Sequence, residues 1–151
     1  MSIHRLFFIL ALAALLGERS FADEPPVKIE HGWVRALPPT SSDSVAYMTL
    51  VNSSDQTVRL TGGSTPIAET VMPMAITKKA VNGEEVMGME MVNELAIPAH
   101  GQLALAPGGA HLMLMKLKEH PKVGDKVKLT LRFEPGGKAL TTELPVALNS
   151  P

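Results

Sequence analysis

Apolar and polar residues alternate with a period of two along much of the chain after residue 26. The clearest case is residues 126–133, where Lys, Lys, Thr and Arg alternate with Val, Leu, Leu and Phe. A period of two places alternate side chains on opposite faces of an extended strand. The pattern predicts nine or ten short strands, at residues 27–36, 44–51, 57–61, 69–77, 84–92, 94–97, 102–105, 111–117, 126–133 and 139–146.

Turn-forming residues separate these segments. Asn82-Gly83 stands between two of them and is a strong signal for a two-residue hairpin turn. No stretch keeps a helical period of 3.6 residues over three turns. Because short strands recur every eight to twelve residues, we expect one all-β domain over residues 23–151, an antiparallel Greek-key sandwich or barrel.

The first 22 residues have the pattern of a secretory signal peptide. A short basic start is followed by eleven apolar residues at positions 6–16, and then by Ser20-Phe21-Ala22. We expect cleavage after Ala22, a periplasmic location and no membrane span in the mature chain, since eleven residues cross only about half of a ~30 Å hydrocarbon core. No cysteine follows the apolar run, so we expect no lipid anchor.

The composition combines no cysteine with nine methionines. The lack of cysteine excludes disulfides, thiol nucleophiles, iron–sulfur centres and cysteine-ligated metals. The 14 basic and 15 acidic side chains nearly cancel, which argues against a nucleic-acid partner.

Seven of the methionines lie between residues 72 and 115, at alternate positions of three predicted strands. The first strand has Met72 and Met74, the second has Met87, Met89 and Met91, and the third has His111, Met113 and Met115. Period two puts the members of each cluster on one strand face. In the third strand the intervening leucines already provide an apolar core face, so the His/Met face needs another explanation.

Thioether sulfur is a soft donor and neutral imidazole is a borderline one, and together, without thiolate, they suit Cu(I) better than Ca²⁺, Mg²⁺ or Zn²⁺. The competing interpretation is that the methionines only fill the core, which is their commoner role. The remaining histidines of residues 23–151 are assigned to surface or turn positions: His31, His100 and His120. Two residues are assigned to the core, Trp33 and Met48. Three methionines that share faces with the proposed ligands are expected to pack around the site: Met87, Met91 and Met115.

Several motifs resemble the PCuAC family of periplasmic copper chaperones over residues 27–146. They are Gly-Trp-Val-Arg-Ala at 32–36, Ala-Tyr-Met-Thr-Leu at 46–50, Val-Met-Gly-Met at 86–89 and Pro-Gly-Gly-Ala-His-Leu-Met-Leu-Met at 107–115. The family's copper motif is His or Met, ten residues, Met, twenty-one residues, then His-x-Met. Twenty-one residues separate Met89 from His111, and Met113 completes His-x-Met.

The resemblance implies a cupredoxin-like fold and one Cu(I) site formed by Met74, Met89, His111 and Met113. Met74 stands where the family usually has histidine, and fourteen residues rather than ten separate it from Met89. We expect the extra four residues in the turn around residues 78–85. Met72 lies on the same face and is the alternative first ligand.

The function that the resemblance implies is that of a periplasmic Cu(I) chaperone, not an enzyme. Its cargo would go towards the copper-bearing subunit of cytochrome c oxidase, alongside thioredoxin-like copper chaperones. Three alternatives stay open: a structural or adhesive β-sandwich with methionine packing, a copper sequestration or detoxification protein, and a copper-dependent redox enzyme. The last would need an open coordination position and a harder ligand set.

Overall fold

The computed structural model describes residues 24–151, so the predicted signal peptide and its cleavage site lie outside the described residues. The described part contains ten strands and no helix. They are β1 (Val27–Arg35), β2 (Ser44–Asn52), β3 (Val58–Ser64), β4 (Ala68–Val81), β5 (Glu84–Met91), β6 (Leu95–Ile97), β7 (Gln102–Leu105), β8 (His111–Leu117), β9 (Lys126–Glu134) and β10 (Lys138–Ala147). The all-β prediction is confirmed, and within residues 24–151 there is no helix able to span a membrane.

The strands form one sheet that closes on itself. The hydrogen-bonded order is β4-β8-β2-β1-β10-β9-β3, and a contact between Gly63 of β3 and Val71 of β4 closes this ring of seven strands. Strands β6 and β7 pair with β3 and β2, while β5 pairs with β4 outside the ring. The neighbours are antiparallel, as expected, except for β1 and β10, which run parallel.

The barrel interior is filled by one face of each strand of the ring. In β9 the alternating apolar residues Val127, Leu129, Leu131 and Phe133 are all buried, as their period predicts. Met48 is among the largest fully buried side chains, which confirms its assignment to the core. Each such side chain contributes about 1.5–3 kcal/mol when removed from water.

Closure of the barrel depends on a glycine. A Cβ atom at Gly63 would lie 2.4 Å from the backbone oxygen of Thr130 on β9 and 3.4 Å from Val71 on β4. Any side chain there would push β3 away from one of its neighbours. Because glycine has no side chain, β3 can stay paired through Gly62 and Gly63 to Ser64. The sequence, by contrast, predicts that β3 ends before these glycines.

The hairpin of β4 and β5 extends away from the ring. Asn82 and Gly83 both have positive φ, 52° and 82°, as a two-residue type I′ turn requires. Pairing runs without interruption from Val81 opposite Glu84 to Met74 opposite Met91. The turn itself is therefore only Asn82 and Gly83, and the rest of residues 78–85, where we expected the four extra residues, lies in the paired strands.

Candidate metal centre

Two of the methionine-bearing strands, β4 and β8, are direct neighbours. Met74 lies opposite His111, and Met72 lies opposite Met113. Directly opposite residues of an antiparallel pair point to the same face, with Cβ atoms about 4.5–5.5 Å apart. The intervening Leu112 is fully buried in the barrel. The four donor side chains therefore share the outer face of the sheet, where they are not needed for the core.

The third methionine-bearing strand, β5, lies on the other side of β4. Met91 is directly opposite Met74, whereas Met89 is opposite Ile76. Met89 is thus the diagonal neighbour of Met74, at about 7–8 Å between Cα atoms, a distance that a long side chain can bridge. Met89 therefore lies on the same face as Met74, and Met91 lies closer in register to the Met74–His111 pair.

The imidazole of His111 is held in one orientation. Its side chain is 8% exposed, and its Nδ1 lies 3.1 Å from the backbone oxygen of Gly109. A carbonyl oxygen can only accept a hydrogen bond, so Nδ1 carries the proton that it donates. In the neutral ring Nε2 then keeps its lone pair, which is the usual arrangement of a metal-ligating histidine.

An aromatic pair continues from His111 on the side away from β4, with Tyr47 against the imidazole and Trp33 beyond it. The ring of Tyr47 meets the imidazole edge-on, with centroids 6.2 Å apart, and Trp33 packs on Tyr47 with centroids 4.9 Å apart. Trp33 is buried, as its assignment to the core predicted. Its chain neighbour Val34 faces the barrel interior, so the indole lies on the outer face of the sheet and not inside the barrel. Sequence reasoning missed Tyr47 as part of the site, although its alternation with the buried Ala46 could have indicated it.

These side chains form one row across five strands, which we call the transverse row. In order it consists of Met91, Met74, His111, Tyr47 and Trp33. Burial falls along the row, from the enclosed rings of β1 and β2, through the half-buried Met74, to the exposed Met91. The row therefore has a closed end in the barrel wall and an open end on the hairpin.

The methionines differ in exposure along the same gradient. Met72, Met74, Met113 and Met115 are half-buried, whereas Met87, Met89 and Met91 are 61%, 45% and 57% exposed. The expectation that Met87 packs around the site is therefore wrong, and Met91 lies beside the site, opposite Met74, but is not packed there. A shallow depression of about 270 Å³ lies beside the row. It is lined by Met87, Met89, Ile76, Gly88 and Gly108.

The other three histidines of the described residues are exposed. His31 and His100 are exposed at positions of positive φ, and the Nε2 of the exposed His120 lies 3.0 Å from the backbone oxygen of Ser41. Within residues 24–151, no group of three or more His, Asp or Glu side chains is placed to hold a metal ion. The donor set of this face is thus thioether sulfur with one imidazole.

Fold and site together define a closed β-barrel domain with a cluster of soft donors on its outer face. Residues 27–146 match the family described as "Putative lipoprotein LpqE-like", and the chain belongs to this family. A protein of Leifsonia xyli subsp. xyli described as "Putative lipoprotein Lxx21020" is 35% identical over 111 residues, which is 73% of this chain. The match spans 63% of that relative's length.

Solved structures of PCuAC-type domains are similar to this chain. The copper-bound PCuAC domain from PmoF2 is 26% identical, with a TM-score of 0.66 over 85% of this chain and 96% of that domain. Cu(I)-bound DR1885 from Deinococcus radiodurans is 39% identical, with a TM-score of 0.66 over 88% of this chain and 86% of DR1885. Its apo form is 40% identical, with a TM-score of 0.59 over 99% and 95% of the two chains. The resemblance to the PCuAC family and the cupredoxin-like fold are confirmed.

Proposed function

We propose that this protein is a Cu(I)-binding chaperone that works outside the cytoplasm. The observation that carries the proposal is the register of β4 and β8, which sets Met74 against His111 and Met72 against Met113 on one outer face. The copper-bound PmoF2 domain and Cu(I)-bound DR1885 support the same assignment, because both share the fold of this chain.

The proposed ligands are Met74, Met89, His111 and Met113, with Met72 as the alternative first ligand. Three thioethers and one neutral imidazole form a soft, uncharged donor set, which matches Cu(I). Hard cations prefer oxygen ligands, and zinc sites use His, Cys or carboxylate. Because no ligand is an anion, the charge of the metal stays uncompensated, and the site favours reversible rather than permanent binding.

The barrel prepares this site before the metal arrives. β4 and β8 are paired with neighbours on both sides, so the Cα positions of Met74, His111 and Met113 are fixed by the ladder. The hydrogen bond from His111 Nδ1 to Gly109 fixes the ring and leaves Nε2 as the donor atom. Little ordering is then left for the moment of binding, and this lowers its entropic cost.

Release would proceed by ligand exchange, not by catalysis. A soft donor of the acceptor takes the place of one thioether while the metal remains Cu(I), so no electron moves. The exposed Met89 is the proposed ligand that an acceptor reaches most easily. A copper-dependent enzyme would instead need an open coordination position and a substrate pocket beside it.

The proposed cellular role is delivery of copper in the periplasm after removal of residues 1–22. Acceptors would be the copper-bearing subunit of cytochrome c oxidase and thioredoxin-like copper chaperones, with copper sequestration as the alternative role. The lipoprotein designation of the family supports a location outside the cytoplasm. The 151 residues contain no cysteine, and therefore no thiol that could carry a lipid.

The decisive experiment is an anaerobic Cu(I) titration of the mature protein against a competing chelator, with X-ray absorption to identify sulfur and nitrogen neighbours. We expect one Cu(I) per chain. His111→Ala and Met113→Leu should each weaken binding by at least about tenfold, which corresponds to about 1.4 kcal/mol. The Met→Leu change removes the sulfur at nearly constant volume, so the fold should survive it.

Met115→Leu is the matched control. Met115 lies on the same strand face and is also half-buried, but its neighbour on β4 is Thr70 rather than a methionine. Its affinity for Cu(I) should equal that of the wild type. Wild-type binding by both His111→Ala and Met113→Leu would show that the proposed site is wrong and would favour the interpretation that the methionines only pack.

A further inference from the structure

One face of β5 is made of methionines that do not pack. Met87, Met89 and Met91 occupy alternate positions and expose between 45% and 61% of their surface. The opposite face of the same strand carries Val86, Gly88 and Glu90, so thioethers are confined to one side. Side chains this exposed contribute little to a core, and leucine or valine would serve equally well if only apolar surface were needed.

These three thioethers lead from the proposed site to the tip of the hairpin. Met91 is opposite Met74, which is itself opposite His111, while Met89 and Met87 follow at successive steps of two residues. Each step is about 6.8 Å along the strand. Methionine has three rotatable side-chain bonds, so sulfur atoms of successive residues can reach the same metal ion.

The charge around the outermost methionine is balanced. Met87 is opposite Lys78, whose ammonium would repel a copper cation. The Nζ of Lys78 lies 3.0 Å from Oε1 of Glu85, two residues nearer the tip on the same face. This pair removes the net positive charge beside Met87, and a cation can approach its sulfur.

The space beside these methionines is open. Gly108 borders the depression lined by Met87 and Met89, and its φ of 80° is a conformation that favours glycine. No atom of the part of the chain that the structure describes lies within 4 Å of the position that a Cβ atom would take at Gly108 or at Gly88. A donor side chain of another protein therefore has room to approach both sulfurs.

From these observations we propose that Met87, Met89 and Met91 form a thioether path by which Cu(I) reaches and leaves the site. Met87 makes the first contact with a soft sulfur or nitrogen donor of a partner, and Met91 passes the ion to Met74 and His111. At each step one Cu–S bond forms as another breaks, and the metal stays Cu(I). The inference rests on the proposed function and adds two residues, Met87 and Met91, that hold copper only in transit.

The test is the rate of Cu(I) transfer from the loaded mature protein to a small Cu(I) chelator, followed by stopped flow, in Met87→Leu and in the wild type. Met87→Leu should bind one Cu(I) with wild-type affinity. Because the path lowers the exchange barrier in both directions, Met87→Leu should load and release Cu(I) about tenfold more slowly than the wild type. This factor corresponds to about 1.4 kcal/mol in the exchange barrier. Val86→Leu, at an exposed position on the opposite face of β5, is the control and should exchange at the wild-type rate.

A second measurement does not depend on the size of the chelator. In protein carrying ¹³C-methyl methionine, the Met87 and Met91 resonances should broaden or shift at substoichiometric Cu(I), while that of the buried Met48 should not. A wild-type exchange rate in Met87→Leu, or an unchanged Met87 resonance, overturns the path. A loss of affinity in Met87→Leu overturns it too, because Met87 would then be a resting ligand.

Failure of the path is distinguishable from failure of the proposed function. If the wild type binds no stoichiometric Cu(I), the proposed function is wrong. If it binds one Cu(I) that His111→Ala weakens, but Met87→Leu exchanges normally, only the path is wrong.

Discussion

Met48 and Met87 show how differently one residue type is used in two regions of this molecule. Met48, on β2 inside the ring of seven strands, is 2% exposed, and Met87, on the hairpin outside the ring, is 61% exposed. The barrel uses the flexible thioether to fill space, whereas the hairpin presents it to solvent. The difference teaches that the face and the strand on which a methionine lies, and not the residue type, decide whether its side chain is packed in the core or open to solvent.

The physical basis of the difference is the number of paired edges. β2 is hydrogen-bonded along both sides, but β5 is paired, among residues 24–151, with β4 alone. A strand with one free edge and little buried apolar surface opens at a lower free energy than the rest of the fold. The hairpin can therefore adjust to a metal or a partner while the barrel stays intact.

The largest expected effect comes from the two methionines themselves. Met48→Ala should lower the free energy of unfolding of the copper-free protein by ~2–5 kcal/mol, since it leaves a cavity in the core. Met87→Ala should change it by less than about 0.5 kcal/mol, as is usual for exposed positions. Urea denaturation measures both, and equal losses would show that the hairpin is packed like the barrel.

A pair of glycines tests the same comparison through the backbone. Gly63→Ala should cost about 1–3 kcal/mol, because the new Cβ would lie 2.4 Å from the Thr130 oxygen and force β3 and β9 apart. Gly88→Ala on the hairpin meets nothing within 4 Å and should be neutral or stabilise by up to about 1 kcal/mol. Thermal unfolding of the two variants provides the measurement. A neutral Gly63→Ala would contradict the closed barrel.

Tyr47 links the barrel to the site. Tyr47→Leu removes the ring that contacts His111 edge-on, and Cu(I) affinity should fall by about 0.5–1.5 kcal/mol, the range of an aromatic pair. Tyr47→Phe keeps the ring and should bind like the wild type, which separates positioning of the imidazole from any role of the hydroxyl. Competition with a Cu(I) chelator measures the affinities of both variants. Unchanged binding by Tyr47→Leu would show that Tyr47 is not part of the site.

The smallest expected effect concerns the charges at the hairpin tip. Glu85→Gln breaks an exposed ion pair with Lys78 and should change stability by less than about 0.5 kcal/mol. It should nevertheless slow Cu(I) transfer at low ionic strength, because the Lys78 ammonium is then uncompensated. Raising the salt concentration screens that charge and should restore the rate. A slowing that is independent of salt would assign another role to Glu85.

Much of the fold follows from local sequence pattern. The bounds of β7 and β8 agree with those predicted, because proline and glycine mark where each segment begins or ends. β4 runs to Val81 rather than Thr77, since the tight Asn82-Gly83 turn keeps the strands paired up to their tip. The parallel pairing of β1 with β10 joins the two ends of the domain, and no local pattern encodes it.

The candidate site is only partly encoded in spacing. Alternation correctly places His111 and Met113 on the face away from Leu112, because a period of two has only two outcomes. Which residue of β5 lies opposite Met74 depends on the register of the hairpin, and counting residues between motif positions does not reveal it. Met91 was missed as a neighbour of Met74 for this reason.

The transverse row has one practical consequence. Trp33 and Tyr47 are the one tryptophan and the one tyrosine among the 151 residues. Their rings pack against each other at a tilt, and Tyr47 contacts His111. The near-ultraviolet fluorescence of the unlabelled protein therefore originates almost entirely from a single pair of rings at the closed end of the row. Any change in that emission during metal loading reports on this side of the molecule, without a dye and without altering a residue.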